Sequence, residues 1–265
     1  MTAIAVTVAG SDSGGGAGIQ ADLKTFAALG VHGASIVTAL TAQNTRGVAA
    51  IHDVPADFIA AQFDAVFSDF AVDAVKVGML SNPETIAAVV AGLDRFGQTN
   101  VVVDPVMIAT SGDRLLSEDA VAVLMRVLIP RARRITPNLL EAAALLGRPV
   151  AADEQAMRGQ AERLLLCGAK AVLIKGGHGG GPEAVDLLVE LDTVTRFAAA
   201  RVATKNTHGT GCTLSSALAA GLAKGLSLVE AAQQAKDYVT AAIAAADRLS
   251  VGTGRGPVHH FHRWW

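Results

Sequence analysis

Residues 205–217 read Lys-Asn-Thr-His-Gly-Thr-Gly-Cys-Thr-Leu-Ser-Ser-Ala. Gly209 and Gly211 flank a threonine, and an alanine-rich apolar run without proline follows. Strong helix formers predict a helix over 210–224, and glycine permits a positive φ in the turn before it. The free N–H groups at the start of such a helix, with the positive end of its dipole, bind phosphate or another anion. We therefore expect an anion-binding site at the start of this helix, with the thiol of Cys212 inside it.

The composition is that of a globular protein with a well-buried core. The chain has 265 residues, of which 51% are apolar and 17% charged, and its formal net charge is −2. This balance, without a long basic run, disfavours nucleic acid as a partner. The two cysteines, Cys167 and Cys212, lie far apart, which indicates a reducing compartment rather than a disulfide framework. The first residues show no signal-peptide pattern, and no apolar run approaches the roughly 20 residues of a membrane span. We expect a soluble cytoplasmic protein without a membrane partner.

Strand-like apolar runs alternate with helical patterns, which predicts a mostly parallel sheet covered by helices on both faces. No linker or repeat interrupts the pattern, so we predict a single domain over 1–265. Closely spaced runs near 41–54 and 184–198 predict hairpins, the first of them a small flap. The predicted strands are 4–9, 34–40, 49–54, 74–77, 100–103, 134–136, 171–175, 184–189 and 193–198. The predicted helices are 19–30, 57–67, 83–96, 117–128, one starting near 137–141, 153–166, 210–224 and 228–248, with a loop at 110–113.

Polar residues follow several predicted strands at their carboxyl ends. They are Asp12, residues 43–45, Asp104, Asn138 with Glu141, Lys175, and the anion site itself. Because ligands of open α/β sheets bind at that edge, we expect these groups to converge on one site. An anion site, two carboxylates and a lysine suit a nucleotide phosphate with magnesium.

A glycine-rich turn at 10–18 follows the first predicted strand. It fits neither a P-loop nor a dinucleotide fingerprint, since it lacks a Gly-Lys-Ser/Thr ending and no acidic residue closes a second strand. Taken alone, such a turn is more typical of tight packing than of ligand binding.

Motifs along the whole chain carry a resemblance to a known family. They are residues 9–12, 15–25, 41–45, 76–80, 104–107, 136–138 with Glu141, 175–178, 207–212 and 256–262. Together they resemble the hydroxymethylpyrimidine/phosphomethylpyrimidine kinases of thiamine biosynthesis, within the ribokinase-like superfamily. The resemblance implies a three-layer α/β sandwich with a flap, a homodimer, and two successive phosphorylations that use ATP and Mg²⁺. The substrates it implies are 4-amino-5-hydroxymethyl-2-methylpyrimidine and its monophosphate, which becomes the diphosphate.

By this resemblance, the pyrimidine should contact Gly10, Asp22, Gln43, Met79 and Val106. Gln43 is also favoured by its chemistry, since an amide can both donate to and accept from an aminopyrimidine edge. From the residues alone, Asp22 would be a helix-surface carboxylate and Met79 a core side chain. The resemblance instead favours a contact with the pyrimidine for both residues.

The resemblance also implies the residues of phosphate transfer. For ATP they are Asn138, Lys175, Thr210 and Gly211; for the metal, Asp104 and Glu141; and for catalysis, Gly209, Thr210, Gly211 and Cys212. The spacing of Asn138 and Glu141 places both on one helical face, although an acid in a first helical turn is common without any ligand. Without the family, Asp104 could equally cap a turn and Lys175 could simply reach solvent.

Cys212 stands where much of the wider superfamily has an aspartate that serves as the base. A helix N-terminus lowers the pKa of a thiol from its usual ~8.5, which permits a thiolate base, whereas a bound phosphate would oppose it. Phosphoryl transfer depends mainly on positioning and electrostatics, so the backbone N–H groups can matter more than the sulfur. We expect Cys212→Ala to impair turnover, and Cys167 to be inert core.

Other functions remain open from the sequence. Pyridoxal kinase is an alternative in the same class, and a non-catalytic pyrimidine-binding protein on the same scaffold is one from another class. A thiol redox protein is disfavoured, because no Cys-x-x-Cys pair is present. We expect His259, His260 and His262 to belong to a packed tail rather than a metal site, on this chain or on a partner.

Overall fold

The computed structural model of the protein describes residues 1–107, 115–177 and 179–265. The loop predicted at 110–113 and His178 of the 175–178 motif lie outside the described residues. The strands are β1 Ile4–Asp12, β2 His32–Asn44, β3 Gly47–Asp53, β4 Ala74–Val77, β5 Val101–Val103, β6 Arg134–Ile135, β7 Val172–Lys175, β8 Glu183–Val189 and β9 Val194–Ala200. The helices are α1 Gly18–Ala28, α2 Ala56–Phe67, α3 Pro83–Arg95, α4 Glu118–Val123, α5 Leu139–Leu146, α6 Glu154–Leu166, α7 Thr210–Ala223 and α8 Leu228–Ala244.

In the described ranges, the strands form one nine-stranded sheet in the order β3-β2-β1-β4-β5-β6-β7-β8-β9. The six strands from β2 to β7 in this order run parallel, while β3, β8 and β9 pair antiparallel at the two edges. The chain leaves β1 toward β2 on one side and later enters β4 on the other. The carboxyl ends of β1 and β4 therefore flank a topological switch point, where open α/β sheets bind ligands.

Both faces of the sheet are covered, as the continuous apolar strands predict. Val101 and Val103 of β5 belong to one apolar core, with residues of α2 to α6. Val102, between them, belongs to the other core, with residues of α1, α7 and α8. Side chains alternate along a strand, so such a run supplies both cores at once. The predicted three-layer α/β sandwich is confirmed. None of the helices in the described ranges has the length and apolar character needed to cross a membrane.

Two element predictions need correction. The polar residues 41–48, between the predicted strands 34–40 and 49–54, favour a turn, but residues 41–44 continue β2, with an irregularity in the β2–β3 register between Ala42 and Gln43. The helix predicted over 117–128 is α-helical only to Val123 and continues as a π-helical turn, Leu124–Leu128. The sequence carries a signal for this change at Pro130, which has no N–H to donate to an α-helical ladder.

The β2–β3 hairpin, the predicted flap, is attached to the C-terminal segment at its tip. The carbonyl oxygen of Thr45 accepts a hydrogen bond from the N–H of Arg255, and its hydroxyl accepts one from Gly254. The hairpin thus brings Gln43 and the C-terminal segment to the same side of the sheet. The single-domain organisation and a closing motion of the flap stay predictions.

The C-terminal tail packs on its own chain. His259 donates its N–H to the carbonyl of Ala242 in α8, and the Tyr238 hydroxyl donates to the carbonyl of His260. The His260 ring contacts the hydroxyl of Thr213 in α7, with 3.0 Å between Nε2 and Oγ1. The tail therefore ties together the two helices that cover one face of the sheet, as the packed-tail interpretation expected.

This tail should make stability depend on pH. Burial, with repulsion from Lys24 and the neighbouring histidines, lowers the pKa of His260 from 6.5 to about 3. Below pH 6.5 the unfolded chain binds a proton that the folded protein excludes, so stability is lost as the pH falls toward 3. We expect this residue to remove about 1.4 kcal/mol of unfolding free energy per pH unit. Denaturant unfolding from pH 6.5 down toward 3 should show a shallower slope for His260→Gln; equal slopes would contradict the prediction.

Candidate active site

A cavity of about 560 Å³ lies at the carboxyl ends of the strands, across the switch point. The glycine-rich turn, the ends of β4, β5 and β7, and the start of α7 all contribute to its walls. The predicted site residues that line it are Gly10, Gln43, Met79, Asp104, Val106, Asn138, Glu141, Lys175, Gly209, Thr210, Gly211 and Cys212. The structure thus brings together groups from distant parts of the chain. Met79 is buried, as its core interpretation expected, and it also lines the cavity, while its contact with the pyrimidine stays a prediction.

The start of α7 is built by glycine, as the sequence indicates. Gly209 precedes the helix with φ of 80°, and a β-carbon there would overlap the carbonyl oxygen of Gly16. No other residue fits this position without moving the glycine-rich turn. Gly211 and Cys212 occupy the first turn, whose N–H groups have no acceptor within the helix. A β-carbon on Gly211 would lie 3.3 Å from the Lys175 ammonium, so the anion-binding turn and that cation are adjacent.

Lys175 joins two carboxylates beside this turn. Its Nζ lies 2.7 Å from Asp104 Oδ1 and 3.9 Å from Glu141 Oε2. Asp104 also accepts hydrogen bonds from the hydroxyls of Thr136 and Ser215. All three charged groups are buried, so the solvent-reaching alternative for Lys175 is wrong. The partners of the Asp104 side chain named here, Lys175, Thr136 and Ser215, lie outside the turn that follows β5.

Burial and neighbouring charges have opposing effects on the pKa values of Glu141, Asp104 and Lys175. Burial raises the pKa of Glu141 to about 7, and the attraction of Lys175 only partly opposes it. For Asp104, burial disfavours the charged form, but Lys175 and Lys76 together lower its pKa. Burial also disfavours the charged form of Lys175, but the two carboxylates outweigh it and raise the pKa of this ammonium. The cluster therefore holds an ionised Asp104 against a protonated Lys175.

Asn138 and Glu141 form a capping box at the start of α5. The Asn138 side chain accepts from the Glu141 N–H at 2.9 Å, and Glu141 Oε2 accepts from the Asn138 N–H at 2.7 Å. Glu141 is thus an acid in the first turn of a helix, the alternative that needs no ligand. The same hydrogen bonds hold its carboxylate at the cavity wall. Asp104 and Glu141 could hold a divalent cation, because Mg²⁺ commonly takes one or two carboxylates and completes its shell with phosphate and water. Within the part of the chain that the structure describes, no cluster of three or more His, Cys, Asp and Glu could hold a metal.

Cys212 sits in a different electrostatic setting from the one predicted. Burial raises the pKa of its thiol to about 11, although the nearby Lys76 ammonium opposes the shift. The expectation that the helix N-terminus would lower this pKa is therefore wrong for this half-buried thiol. Desolvation of the thiolate and the carboxylates of Asp22 and Asp104 outweigh the favourable groups.

Asp22 also differs from expectation. It is fully buried, and it is not among the residues that line the cavity. Its carboxylate binds Lys76 at 2.8 Å and accepts hydrogen bonds from Thr7 and Ser216. The helix-surface alternative is wrong, and a direct contact with the pyrimidine stays a prediction that this arrangement does not favour. Lys76, its ion-pair partner, does line the cavity.

The sequence did not single out His208 as a site residue, although it lies in a quoted motif. Its Nε2 lies 3.0 Å from Asp12 Oδ2. The same carboxylate accepts N–H bonds from Gly14, Gly16 and Ala17. The glycine-rich turn is thus folded around its own acid, as its packing interpretation expected. Lys76 was missed as well, and the only available signal was its position in a motif within a buried strand.

The comparison with known families agrees with this geometry. The family model described as phosphomethylpyrimidine kinase matches residues 12–259. The chain belongs to the phosphomethylpyrimidine kinase family. It is therefore an enzyme on a ribokinase-like fold.

Relatives and solved structures match this chain over nearly their full lengths. The hydroxymethylpyrimidine/phosphomethylpyrimidine kinase of Rhizobium meliloti is 64% identical over 265 residues, covering 100% of this chain and 99% of the relative. The crystal structure of phosphomethylpyrimidine kinase from Clostridium difficile has a TM-score of 0.81 at 45% identity, covering 91% and 99% of the two chains. An ADP complex of Bacillus subtilis pyridoxal kinase has a TM-score of 0.90 at 35% identity, covering 98% of each.

Proposed function

We propose that this enzyme transfers the γ-phosphate of ATP to 4-amino-5-hydroxymethyl-2-methylpyrimidine, and then phosphorylates the monophosphate to the diphosphate. The observation that carries the proposal is the contact between the anion-binding start of α7 and the Lys175–Asp104 pair, in one cavity with Gln43. A protein that only bound a pyrimidine would need the Gln43 end of this cavity but not the buried phosphate-binding groups.

The two ends of the cavity suit the two substrates. Around the start of α7, N–H groups and Lys175 can bind the phosphates and stabilise the charge of the transferred group. Farther along the cavity, Ala199, Val239 and Ile243 supply an apolar wall that fits a nucleobase. At the other end, Gln43 and Met79 can hold the pyrimidine ring, so its hydroxymethyl group can face the γ-phosphate.

Asp104 and Glu141 are the residues that would hold Mg²⁺, which when bound neutralises phosphate charge. Lys175 must then exchange part of its contact with Asp104 for the phosphate oxygens. Its flexible ammonium can make this change, since it is a point charge on a four-carbon stem. Asn138 orients Glu141 through the capping box.

Cys212 contributes in this proposal mainly through its backbone N–H. With a thiol pKa of about 11, only about one molecule in a thousand carries a thiolate at pH 8. We expect Cys212→Ala to lower kcat by about tenfold, because the N–H remains and only the packing of the sulfur is lost, whereas loss of a general base costs about 10²–10⁴-fold. Steady-state kinetics with hydroxymethylpyrimidine would decide: an unchanged kcat excludes any role of the sulfur, and a loss above about 10²-fold shows that the thiol acts as the base.

The function itself is tested by product analysis. Incubation with hydroxymethylpyrimidine, ATP and Mg²⁺ should give the monophosphate and then the diphosphate. Pyridoxal is the second candidate substrate, because a pyridoxal kinase shares the fold at a TM-score of 0.90. A much higher kcat/KM for pyridoxal in a parallel coupled assay would reverse the assignment, and no ATP consumption with either substrate would support a binding protein.

We also propose that the enzyme is a cytoplasmic homodimer. Leu40, Ile51 and Phe58 expose large apolar side chains along the β2–β3 hairpin and α2, which suits an association surface. Its two cysteines are unpaired, which suits a reducing compartment. Sedimentation equilibrium that gave only the 27.0 kDa monomer would contradict the dimer.

A further inference from the structure

Four polar side chains meet beside the start of α7. His208 Nε2 lies 3.0 Å from Asp12 Oδ2 and 3.4 Å from Nε2 of the Gln43 amide. On the other side of that amide, Thr41 Oγ1 lies 3.0 Å from Gln43 Oε1 and 2.9 Å from the carbonyl oxygen of Ser11. Asp12, His208 and Thr41 are buried, while Gln43 is half-buried in the cavity wall. The arrangement fixes where each proton must lie.

The Nε2 atom of His208 must carry a proton. Asp12 Oδ2 already accepts from the N–H groups of Gly16 and Ala17, at 3.0 and 2.9 Å. Burial alone would raise the pKa of Asp12, but the hydrogen bonds from His208 and from this turn lower it. An ionised carboxylate can only accept, so the imidazole nitrogen that faces it has to donate.

The orientation of the Gln43 amide follows from its two neighbours. An amide NH₂ that faced the His208 N–H would bring two donors together. Thr41 has one hydroxyl proton, and its oxygen lies 2.9 Å from the Ser11 carbonyl oxygen and 3.0 Å from the Gln43 amide. When that proton is donated to the carbonyl, Thr41 has a lone pair that can accept from the amide nitrogen. The His208 N–H therefore favours the amide oxygen on its own side, and the Thr41 hydroxyl can accept from the amide nitrogen on the other. The structure places Nε2 of Gln43 toward His208 and Oε1 toward Thr41. A half-turn of the terminal torsion exchanges these two atoms, and so gives the favoured orientation, without moving the rest of the side chain.

We propose that the Asp12–His208 pair is a positioning device that turns the Gln43 amide oxygen toward the start of α7 and thereby fixes which way round an aminopyrimidine binds. This inference rests on the proposed function. Asp12 and His208 act through Gln43, and His208 lies next to the anion-binding turn in the chain.

The chemistry of the ring shows why the direction matters. In the proposed substrate, the acceptor nitrogen N3, the C4 amino group and the C5 hydroxymethyl group follow one another around the ring. The amino group donates to the amide oxygen on the His208 side, while N3 accepts from the amide nitrogen on the Thr41 side. The hydroxymethyl group adjoins the amino group, so it also lies on the His208 side, toward Gly211 and Cys212. The opposite amide orientation would turn the hydroxyl away from the phosphate site.

A matched pair of variants tests the device. His208→Gln keeps a side-chain N–H near the position of the imidazole Nε2, whereas His208→Met has similar length and no donor. Each protein is assayed with ATP, Mg²⁺ and either 4-amino-5-hydroxymethyl-2-methylpyrimidine or the same pyrimidine without its amino group. We expect the wild type to prefer the amino compound by about 10–100-fold in kcat/KM. The preference should disappear in His208→Met and return in His208→Gln.

The outcomes separate positioning from a merely structural role. If His208 only packs against Gly16, His208→Met lowers kcat/KM for both pyrimidines equally and the preference survives, which overturns the proposal. A second measurement on the wild type needs neither turnover nor a variant. Nitrogen-15 NMR of the His208 ring should show a proton on Nε2, and a bare Nε2 would overturn the proposal. If the wild type phosphorylates neither pyrimidine, the proposed function fails, and the NMR result still decides the arrangement of Asp12, His208 and Gln43.

Discussion

Lys175→Met should lower kcat by about 10²–10³-fold, the loss that follows removal of one positioned donor from a developing oxyanion. The Lys175 ammonium lies beside the first turn of α7 and 2.7 Å from Asp104, so it is the cation nearest to the proposed transfer site in this cluster. A methionine of similar length keeps the packing but removes the charge. Steady-state kinetics with saturating ATP and hydroxymethylpyrimidine would measure the effect, which should fall on kcat more than on KM.

The variant also leaves Asp104 less well compensated, so stability has to be measured beside activity. Lys236→Met is the matched control, because Lys236 is likewise buried, lines the cavity and pairs with a carboxylate, Asp186, at 2.8 Å. Its partners lie on β8 rather than at the start of α7. Both variants should lose unfolding free energy, but Lys175→Met should lose far more kcat. Equal losses of kcat in the two variants would show that Lys175 acts through stability alone.

Local patterns predicted most of the fold. The three valines of β5 identified a strand buried on both faces, since each core receives alternate side chains. The glycines of residues 209–211 identified a helix start, since backbone geometry there depends on the residue type. Residues 41–44 were misassigned because their polarity is typical of a turn. Two of these polar residues, Thr41 and Gln43, line the cavity instead.

The parts of the site that sequence did not predict are contacts between distant segments. Lys76 and Asp22 are 54 residues apart, and His208 and Asp12 are 196 apart. Periodicity and spacing report what a segment does locally, so neither pair leaves a local pattern. The pKa of Cys212 was predicted wrongly for the same reason. A helix start lowers a thiol pKa locally, but burial and carboxylates supplied by other segments decide the result.

Lys76→Met should cost about 3–5 kcal/mol of unfolding free energy, the usual effect of removing one partner from a buried ion pair. Lys76 and Asp22 are both fully buried, and Nζ lies 3.0 and 2.8 Å from the two carboxylate oxygens. Thr7 and Ser216 still donate to Asp22 in the variant, but hydroxyls do not neutralise its charge. Urea unfolding monitored by circular dichroism would give the loss, which is a large part of the roughly 5–15 kcal/mol typical of a folded protein.

The double variant Lys76→Met/Asp22→Asn separates the two roles of this pair. It removes both charges, so most of the stability lost in Lys76→Met should return, and the introduced amide can still bond to Thr7 and Ser216. Turnover should not return with it. The Lys76 ammonium lowers the pKa of Asp104 and opposes the raised pKa of Cys212, so its charge reaches the transfer site even though its partner is buried. If kcat recovers together with stability, Lys76 is only a structural counter-ion for Asp22. If stability stays low, the free energy lost in Lys76→Met comes from packing rather than from the unpaired carboxylate.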